Sequence, residues 1–349
     1  MDTAHTKTYS LCLVGFGNVG RRLVEVLAGQ AELLAQRYSI QFSISEIVEF
    51  GGTWVSPGWS MDEIVAQMHN KSQLQTWPGF RPGFEAERAI GLSPAQIMIE
   101  LTPSNYKDGQ PGFSHMQAAF RRGMHVVTAN KGPLVTHFAV LKREAKRARR
   151  QFKFGGATAA ALPTTNIGYY DLAGSTIEAI EGVLNGTTNY ILTRINEDGI
   201  SFEEALTEAR DQGIAETNPT QDINGYDTAV KCLILARELM GADISLEDAE
   251  ITGIENVDHL PGFGQESRVC RLIGRVERIE GKVKIRVEPM FIRADHPLYA
   301  VTGTAKGIVF HTDLFGQLLV TGGNSSLSGA AASILRDLIN LSREEGKGV

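Results

Sequence analysis

The stretch Tyr9–Gly20, YSLCLVGFGNVG, decides the fold. Its apolar half, Tyr9–Val14, predicts a buried strand, and an amphipathic helix is predicted from Arg21 to about Arg37. Between them, the first glycine permits a tight turn, the second lets a pyrophosphate approach the backbone, and the third lets helix and strand pack closely. A lone GxGxxG is a weak signal, but strand, turn and helix in immediate succession predict nucleotide binding. The candidate cofactor-binding residues are Gly15, Phe16, Gly17, Asn18, Val19 and Gly20.

A second strand is predicted over Phe42–Phe50, with Glu49 near its end. An acid there could bind a ribose hydroxyl of the cofactor, although it lies further from the glycines than the usual spacing of about twenty residues. An ordinary acid at the end of a strand explains the residue equally well. NAD and NADP therefore both remain open as the cofactor.

Two further buried strands carry candidate residues at their ends. Gln96–Leu101 stops at Thr102 and Pro103, and His125–Thr128 is followed shortly by Lys131. Ligands of a doubly wound sheet bind beyond the carboxyl ends of its strands, so these three residues are expected at the nucleotide crevice. A lysine after a strand is often simply solvated, and this alternative stays open for Lys131.

The rest of the chain predicts a long connection within the first domain and a second domain after it. Residues 51–85, around a short helix, indicate a surface connection. A strand over Ile177–Val183 opens the second half, a capping box at Ser201 starts a helix, and a short helix is expected at Leu246–Ala249. Further strands are predicted near Val269–Ile279 and Val283–Pro289, and a final helix over Ala330–Leu341. The predicted division is 1–155 for the nucleotide-binding domain, 156–305 for a second domain, and 306–349 for a C-terminal segment that contains the final helix.

The stretch 212–236, QGIAETNPTQDINGYDTAVKCLILA, gathers the ionisable residues of the second half. Turn residues in its first half predict a loop, and the spacing of apolar residues in its second half predicts a helix. Glu216 and Asp222 lie in the loop, while Asp227 and Lys231 are four apart and share one helix face. Such a pair is often only a surface salt bridge. Three acids around one lysine can also hold a small cationic substrate and supply a proton donor.

Bulk properties exclude several classes of function. The net charge of −6 argues against general affinity for nucleic acid or an anionic membrane. Cys12, Cys232 and Cys270 lie far apart among apolar neighbours, which suits buried thiols in a reducing compartment and no metal site. The polar first residues contain no signal peptide and no apolar run reaches membrane-spanning length, so a cytoplasmic protein is expected.

Taken together, the motifs resemble the homoserine dehydrogenase family over most of the chain, in the order that the family has them. They are GFGNVG at 15–20, ELTPSN at 100–105, HVVTANKGPL at 125–134, GVLNGTTNYIL at 182–192 and GIAETNPTQDINGYDTAVK at 213–231. The resemblance implies reversible oxidation of homoserine to aspartate semialdehyde with NAD or NADP. It also implies an α/β fold, with a Rossmann-type domain and a second α+β substrate domain whose mixed sheet forms the interface of a homodimer. The segment 306–349, with the last helix, is implied to return to the first domain.

The resemblance also implies a role for each matching position. Lys131 corresponds to the lysine beside the nicotinamide, and Thr102 and Pro103 line the cofactor crevice. Lys231 resembles the proton donor and acceptor. The residues that resemble the substrate-binding set are Thr187, Glu216, Asp222 and Asp227.

Two segments depart from the family pattern. The first is 155–163, GGATAAALP, in which Gly155 stands where the family has an acid that helps to bind a monovalent cation, so no metal is expected there. The segment 322–326, GGNSS, replaces the glycine-rich turn before the last helix, which leaves room for an altered substrate or cofactor preference. A short form without an ACT regulatory domain or a fused kinase is expected, with no threonine feedback through such a domain.

Two alternatives remain beside a homoserine dehydrogenase. The altered glycine segments would suit a paralogous dehydrogenase that reduces a different amino-acid-like or small carbonyl substrate. The second alternative is a non-catalytic NAD(P)-binding sensor. Retention of both Lys131 and Lys231 argues against it, because an unused pair would be free to drift.

Overall fold

The chain divides into two compact units in the computed structural model, which describes residues 6–70, 73–259, 267–323 and 325–345. The first unit combines Met1–Ala157 with Ala330–Val349, and the second is Thr158–Gly329. The predicted third segment began at 306, but residues 306–322 form two strands of the second unit's sheet. The return to the first unit therefore begins at Ala330.

The first unit alternates strands and helices along most of its length. Its elements, up to the point where the chain enters the second unit, are β1 (Lys7–Val14), α1 (Asn18–Gly29), α2 (Ala31–Tyr38), β2 (Ile40–Glu49), β3 (Gly52–Val55), α3 (Met61–His69), β4 (Phe80–Pro82), α4 (Ala86–Leu92), β5 (Ile97–Glu100), α5 (Gly112–Arg122), β6 (His125–Thr128), α6 (Gly132–Thr136), α7 (Phe138–Ala148) and β7 (Phe152–Lys153).

These strands form one sheet in the order β4-β3-β2-β1-β5-β6-β7. Strands β2, β1, β5, β6 and β7 are parallel, which confirms the predicted Rossmann-type arrangement. The prediction of a mere surface connection over 51–85 is wrong, because β3 and β4 from this stretch extend the sheet by antiparallel pairing. Trp54 and Trp77 of the same stretch are buried in the core, with their rings 5.5 Å apart and edge to face.

The helix predicted over Arg21–Arg37 is in fact two helices. Gln30 ends α1 with a φ of −104° and a ψ of 4°, and α2 starts at the next residue. This additional helix lengthens the connection between the glycine turn and β2. It accounts for the long spacing between the glycines and Glu49.

The second unit combines a second set of strands with helices between them. Its elements are β8 (Ile177–Val183), α8 (Gly186–Asp198), α9 (Phe202–Asp211), α10 (Thr220–Ile223), α11 (Tyr226–Leu239), β9 (Glu250–Ile251), β10 (Arg268–Ile279), β11 (Lys282–Arg293), β12 (Lys306–Thr312) and β13 (Gly316–Gly322). The predicted helix at Leu246–Ala249 is only a single 3-10 turn, Leu246–Asp248.

The second sheet has the order β13-β12-β8-β10-β11-β9. All of its pairings are antiparallel except β9 with β11, so the sheet is mixed, as predicted. Its paired glycines Gly182 and Gly274 leave room for the helix beside them, because a Cβ on Gly274 would lie 2.5 Å from Cys232 Sγ of α11. Helix α11 can therefore lie close against the sheet.

The last helix, α12 (Leu327–Glu345), runs from the second unit into the core of the first. Ala331, Ile334, Leu338 and Leu341 belong to the same buried cluster as the central strand β1. The end of the helix is held by Glu345, which forms an ion pair with Lys7 at 2.8 Å and lies within hydrogen-bond distance of His125 at 2.7 Å.

Candidate functional site

The glycine turn after β1 has the geometry that its sequence predicts. Gly15 has a φ of +95°, and a Cβ there would lie 2.8 Å from the Leu101 carbonyl carbon. A Cβ on Gly20 would lie 2.5 Å from Gly15 O, so helix and strand pack too closely for any side chain. In contrast, no atom lies within 4 Å of a Cβ built on Gly17. The open space is therefore at the second glycine, where a pyrophosphate would approach.

A cavity of about 860 Å³ in the first unit lies in front of this turn. Helix α1 begins beside it without a side-chain cap or an acid in its first turn, so its unpaired N–H groups can face an anion. Volume, glycines and helix end together fit a dinucleotide. The predicted residues that line the cavity are Gly15, Phe16, Gly17, Thr102 and Pro103, while Asn18 and Val19 start the helix outside the described lining and Gly20 packs beneath it.

Glu49 lines the same cavity at the end of β2. Its Oε1 accepts a hydrogen bond of 2.8 Å from the backbone N–H of Phe16. This bond holds the carboxylate beside the glycine turn. Glu49 is therefore part of the candidate site and more than an ordinary acid at a strand end.

Thr102 is fixed by a buried network that sequence reasoning missed. Glu100, the fully buried last residue of β5, accepts hydrogen bonds from the N–H of Thr102 at 2.8 Å and from its hydroxyl. The side-chain amide of Asn130 donates to the same hydroxyl at 3.1 Å. Because its proton is committed to Glu100, the Thr102 oxygen can only accept from a ligand.

His115 completes this network from α5. Its Nδ1 lies 2.9 Å from Glu100 Oε2, and the buried ring also lines the cavity. The signal available in the sequence was Glu100 itself, since an acid that ends a buried strand requires polar partners. The sequence could not identify which residue supplies them.

Lys131 lies after β6 and immediately before α6. Its backbone N–H donates to Ser104 Oγ at 3.0 Å, which ties it to the loop after β5. Its side chain is half-buried and does not belong to the described lining of the cavity. Its role beside the nicotinamide stays a prediction.

The acidic stretch of the second unit forms a buried ion pair. Asp227 and Lys231 lie one turn apart on α11, with 2.5 Å between Oδ2 and Nζ, and only 8% and 9% of the two residues is exposed. Lys231 Nζ also donates to Leu184 O at 2.7 Å. Breaking a buried pair is far more costly than breaking a surface one, so the surface alternative does not describe these residues.

Asn185, which sequence reasoning did not select, connects the acids. Its side-chain N–H₂ donates to Asp222 Oδ1 at 2.6 Å and to Asp227 Oδ2 at 2.9 Å. Its Oδ1 accepts from the N–H of Thr188 at 3.0 Å and thereby caps α8. The available signal was an Asn followed by a glycine shortly after a predicted strand, and no helix was predicted there.

The other two predicted substrate-binding residues differ in burial: Thr187 is buried and Glu216 is exposed. Thr187 is buried in the first turn of α8, and its hydroxyl donates to Ile214 O at 3.1 Å. Glu216 is exposed in the loop between α9 and α10 and takes no part in the described hydrogen bonds around Asp227. The structure therefore brings Asp222, Asp227 and Lys231 together through Asn185 and leaves Glu216 at the surface.

The altered segment at 155–163 has a different partner at each end. In the first unit, the N–H of Gly155 donates to Asp337 Oδ2 of α12 at 2.8 Å, and a Cβ at Gly155 would lie 2.9 Å from Asp337 Oδ1. An acid at position 155 would meet this buried carboxylate. Among the described residues, no group of three or more His, Cys, Asp or Glu side chains is placed to hold a metal ion.

In the second unit, the same segment packs against the other altered one. A Cβ on Gly323 would lie 2.7 Å from Leu162 N, and buried Lys306 donates from Nζ to Ala159 O at 3.3 Å. Asn324 lies outside the described residues. The two departures from the family pattern are therefore in contact with each other, and Lys306 is a further buried cation that sequence reasoning missed.

Comparison with known proteins gives the family of the chain. The homoserine dehydrogenase family model matches residues 163–339. The homoserine dehydrogenase of Methanocaldococcus jannaschii is 35% identical over 95% of this chain and 98% of its own length. The NAD(+)-dependent homoserine dehydrogenase of Pseudomonas canavaninivorans is 32% identical over 95% of this chain and 96% of its own length.

The fold agrees with the sequence comparison. A crystal structure from Archaeoglobus fulgidus superposes with a TM-score of 0.84 at 29% identity, and the match covers 96% of this chain and 99% of that one. Because the sequence match covers 95% of the chain, it extends over both units. The chain therefore belongs to the homoserine dehydrogenase family.

Proposed function

We propose that the protein interconverts L-homoserine and L-aspartate 4-semialdehyde with NAD or NADP. The observation that carries the proposal is the buried Asp227–Lys231 pair, held by Asn185 in a unit that follows a dinucleotide-binding unit. The names of its relatives support the same reaction. NAD(P), when bound, accepts the hydride of the alcohol or supplies the hydride for the aldehyde.

The substrate unit can serve both ends of the substrate. Asp222 and Asp227 share one amide of Asn185, and carboxylates of this kind are the acceptors that a substrate ammonium requires. Of the three N–H donors of Lys231, one is directed to Asp227 and one to Leu184 O. The remaining donor is available for the carbonyl oxygen, which needs a proton as its negative charge develops.

The first unit supplies the cofactor-positioning residues of this proposal. Thr102 presents an acceptor that can orient a donor group of the cofactor, and Glu100 holds Thr102 in place. Lys131, tied to the same loop through Ser104, is assigned the role beside the nicotinamide. Thr187 and Glu216 complete the proposed substrate set, although no described hydrogen bond joins Glu216 to the cluster.

We infer further that the protein is a cytoplasmic homodimer. Its three cysteines are buried and unpaired, and burial raises the pKa of the Cys232 and Cys270 thiols to about 12, so they remain protonated and unreactive. A reducing compartment suits such residues. Among the described residues, no helix has the length and apolar character required to cross a membrane.

The reaction is tested with purified protein, NADH or NADPH and aspartate semialdehyde, by following the absorbance of the cofactor. Lys231→Ala should lower kcat by at least a hundredfold, the scale of general acid–base catalysis, and leave the Kd of the cofactor within about twofold. Lys282→Ala, at an exposed lysine of the same unit, is the control and should behave like the wild type.

The outcomes separate the alternatives. Turnover of other small carbonyl compounds without turnover of aspartate semialdehyde would replace the proposed substrate. Cofactor binding without turnover of any of them would indicate a sensor. Near-normal kcat in Lys231→Ala would remove Lys231 from the mechanism while leaving the reaction itself in place.

A further inference from the structure

The walls of the nucleotide cavity carry an uneven distribution of charge. The carboxylates of Glu49 and Glu85 line it, and no lysine or arginine belongs to its described lining. Glu49 is held in the cavity by the N–H of Phe16, so this negative charge has a fixed position at the end of β2. A bound nucleotide therefore meets a carboxylate close to the glycine turn.

Three described arginines stack on aromatic rings of the cavity lining. Arg21 lies over Phe16, with 4.5 Å between its guanidinium carbon and the ring centroid, and Arg81 and Arg88 lie over Phe84 at 5.8 Å. Each of these arginines already has a cation–π partner, so its recruitment by a 2′-phosphate would have to compete with that contact.

An aromatic side chain stands next to the carboxylate. Phe50 lines the cavity and is 101% exposed, the largest value among the exposed large hydrophobic residues described. A phenylalanine that exposes its whole ring at a cavity wall can cover the face of a flat ring such as adenine. Glu49 and Phe50 together thus offer an acceptor for ribose hydroxyls and a surface for the base.

We infer that this cavity selects NAD(H) over NADP(H) and that Glu49 determines the selection. The inference rests on the proposed function, since it specifies the cofactor of that reaction. The 2′- and 3′-hydroxyls of the adenosine ribose can donate to the Glu49 carboxylate. A 2′-phosphate carries no such donor, and its negative charge is repelled by the fixed carboxylate.

Cofactor binding to the protein alone tests the inference, without a carbonyl substrate. Titration of wild-type protein with NADH and NADPH, followed by cofactor fluorescence, should give a Kd at least tenfold lower for NADH. Glu49→Gln keeps an oxygen that can accept from the N–H of Phe16 but removes the charge. Its ratio of the two Kd values should fall at least fivefold, mainly through tighter NADPH binding.

Two further measurements make the result independent of how the variant folds. Glu87→Gln, at an exposed acid of α4 outside the described lining, is the matched control and should keep the wild-type ratio. In wild-type protein, AMP should displace NADH at lower concentration than adenosine 2′,5′-bisphosphate does.

Equal or tighter binding of NADPH by the wild type would overturn the inference, as would an unchanged ratio in a folded Glu49→Gln variant. Stronger displacement by adenosine 2′,5′-bisphosphate than by AMP would overturn it as well. Failure of the proposed function looks different. In that case NADH would still bind in preference to NADPH, but aspartate semialdehyde would not be reduced.

Discussion

Single residues show where prediction from sequence succeeds in this protein and where it stops. The Asp227–Lys231 pair could be predicted because a spacing of four fixes which residues meet on a helix. Asn185, by contrast, reaches Asp222 and Asp227 from another helix, over separations of 37 and 42 residues. No local pattern encodes such a contact, because it depends on how α8, α10 and α11 pack.

Buried Glu46 should make the stability of the first unit depend on pH. It is 4% exposed on β2 beside Cys12, and its Oε1 has no hydrogen-bond partner among the described residues. Burial raises its pKa from 4.5 to about 7, against smaller opposing effects of Cys12 and Arg122. The folded protein therefore favours the protonated acid.

This shift predicts a loss of stability as the pH rises. The contribution of Glu46 is fully present below pH 4.5 and is lost as the pH rises through about 7. The difference amounts to about 3 kcal/mol in the free energy of unfolding. Urea denaturation should show that Glu46→Gln gains about this amount over the wild type between pH 5 and pH 8. A difference between the two proteins that does not change with pH would contradict the prediction.

At the scale of elements, long periodic segments were predictable and short edge elements were not. The central strands β1, β5 and β6 are apolar runs next to turn signals, and their positions agree with the prediction within a few residues. Strands β3 and β4 have four and three residues, and pairing along the sheet edge defines them. Such strands depend on tertiary contacts that a local pattern does not contain.

The glycine turn and α1 act as one element, and its glycines should respond differently to alanine. Gly17→Ala places its Cβ in open space, so the fold should keep its Tm within a few degrees while the Kd for NADH rises at least tenfold. Gly20→Ala places its Cβ against Gly15 O and should lower the Tm markedly. Thermal unfolding and NADH titration on both variants test this contrast. It fails if Gly17→Ala binds NADH normally or if Gly20→Ala unfolds like the wild type.

At the scale of the whole molecule, the fold class was predictable and the boundary of the second unit was not. Both sheets have the predicted character, one largely parallel and one mixed. The boundary lies at Ala330 instead of 306 because β12 pairs with β8, across more than 120 residues of chain. The final helix, whose apolar face belongs to the first core, was predicted from its pattern, but its return to the first unit was implied only by the family resemblance.

The second unit has an exposed apolar edge that could form the interface of the proposed homodimer. Strand β13 is an edge of the mixed sheet, and Leu319 on it is 42% exposed, with Leu314 and Phe315 in the preceding turn at 71% and 56%. An open apolar edge favours association with another chain.

Light scattering after size exclusion should give twice the chain mass of 38.0 kDa. Leu319→Lys should shift the protein toward the monomer, because a buried charge would oppose the contact, whereas Leu92→Lys, at an exposed leucine of the first unit, should not. A monomeric wild type would refute the dimer, and a dimer unchanged by Leu319→Lys would place its interface elsewhere.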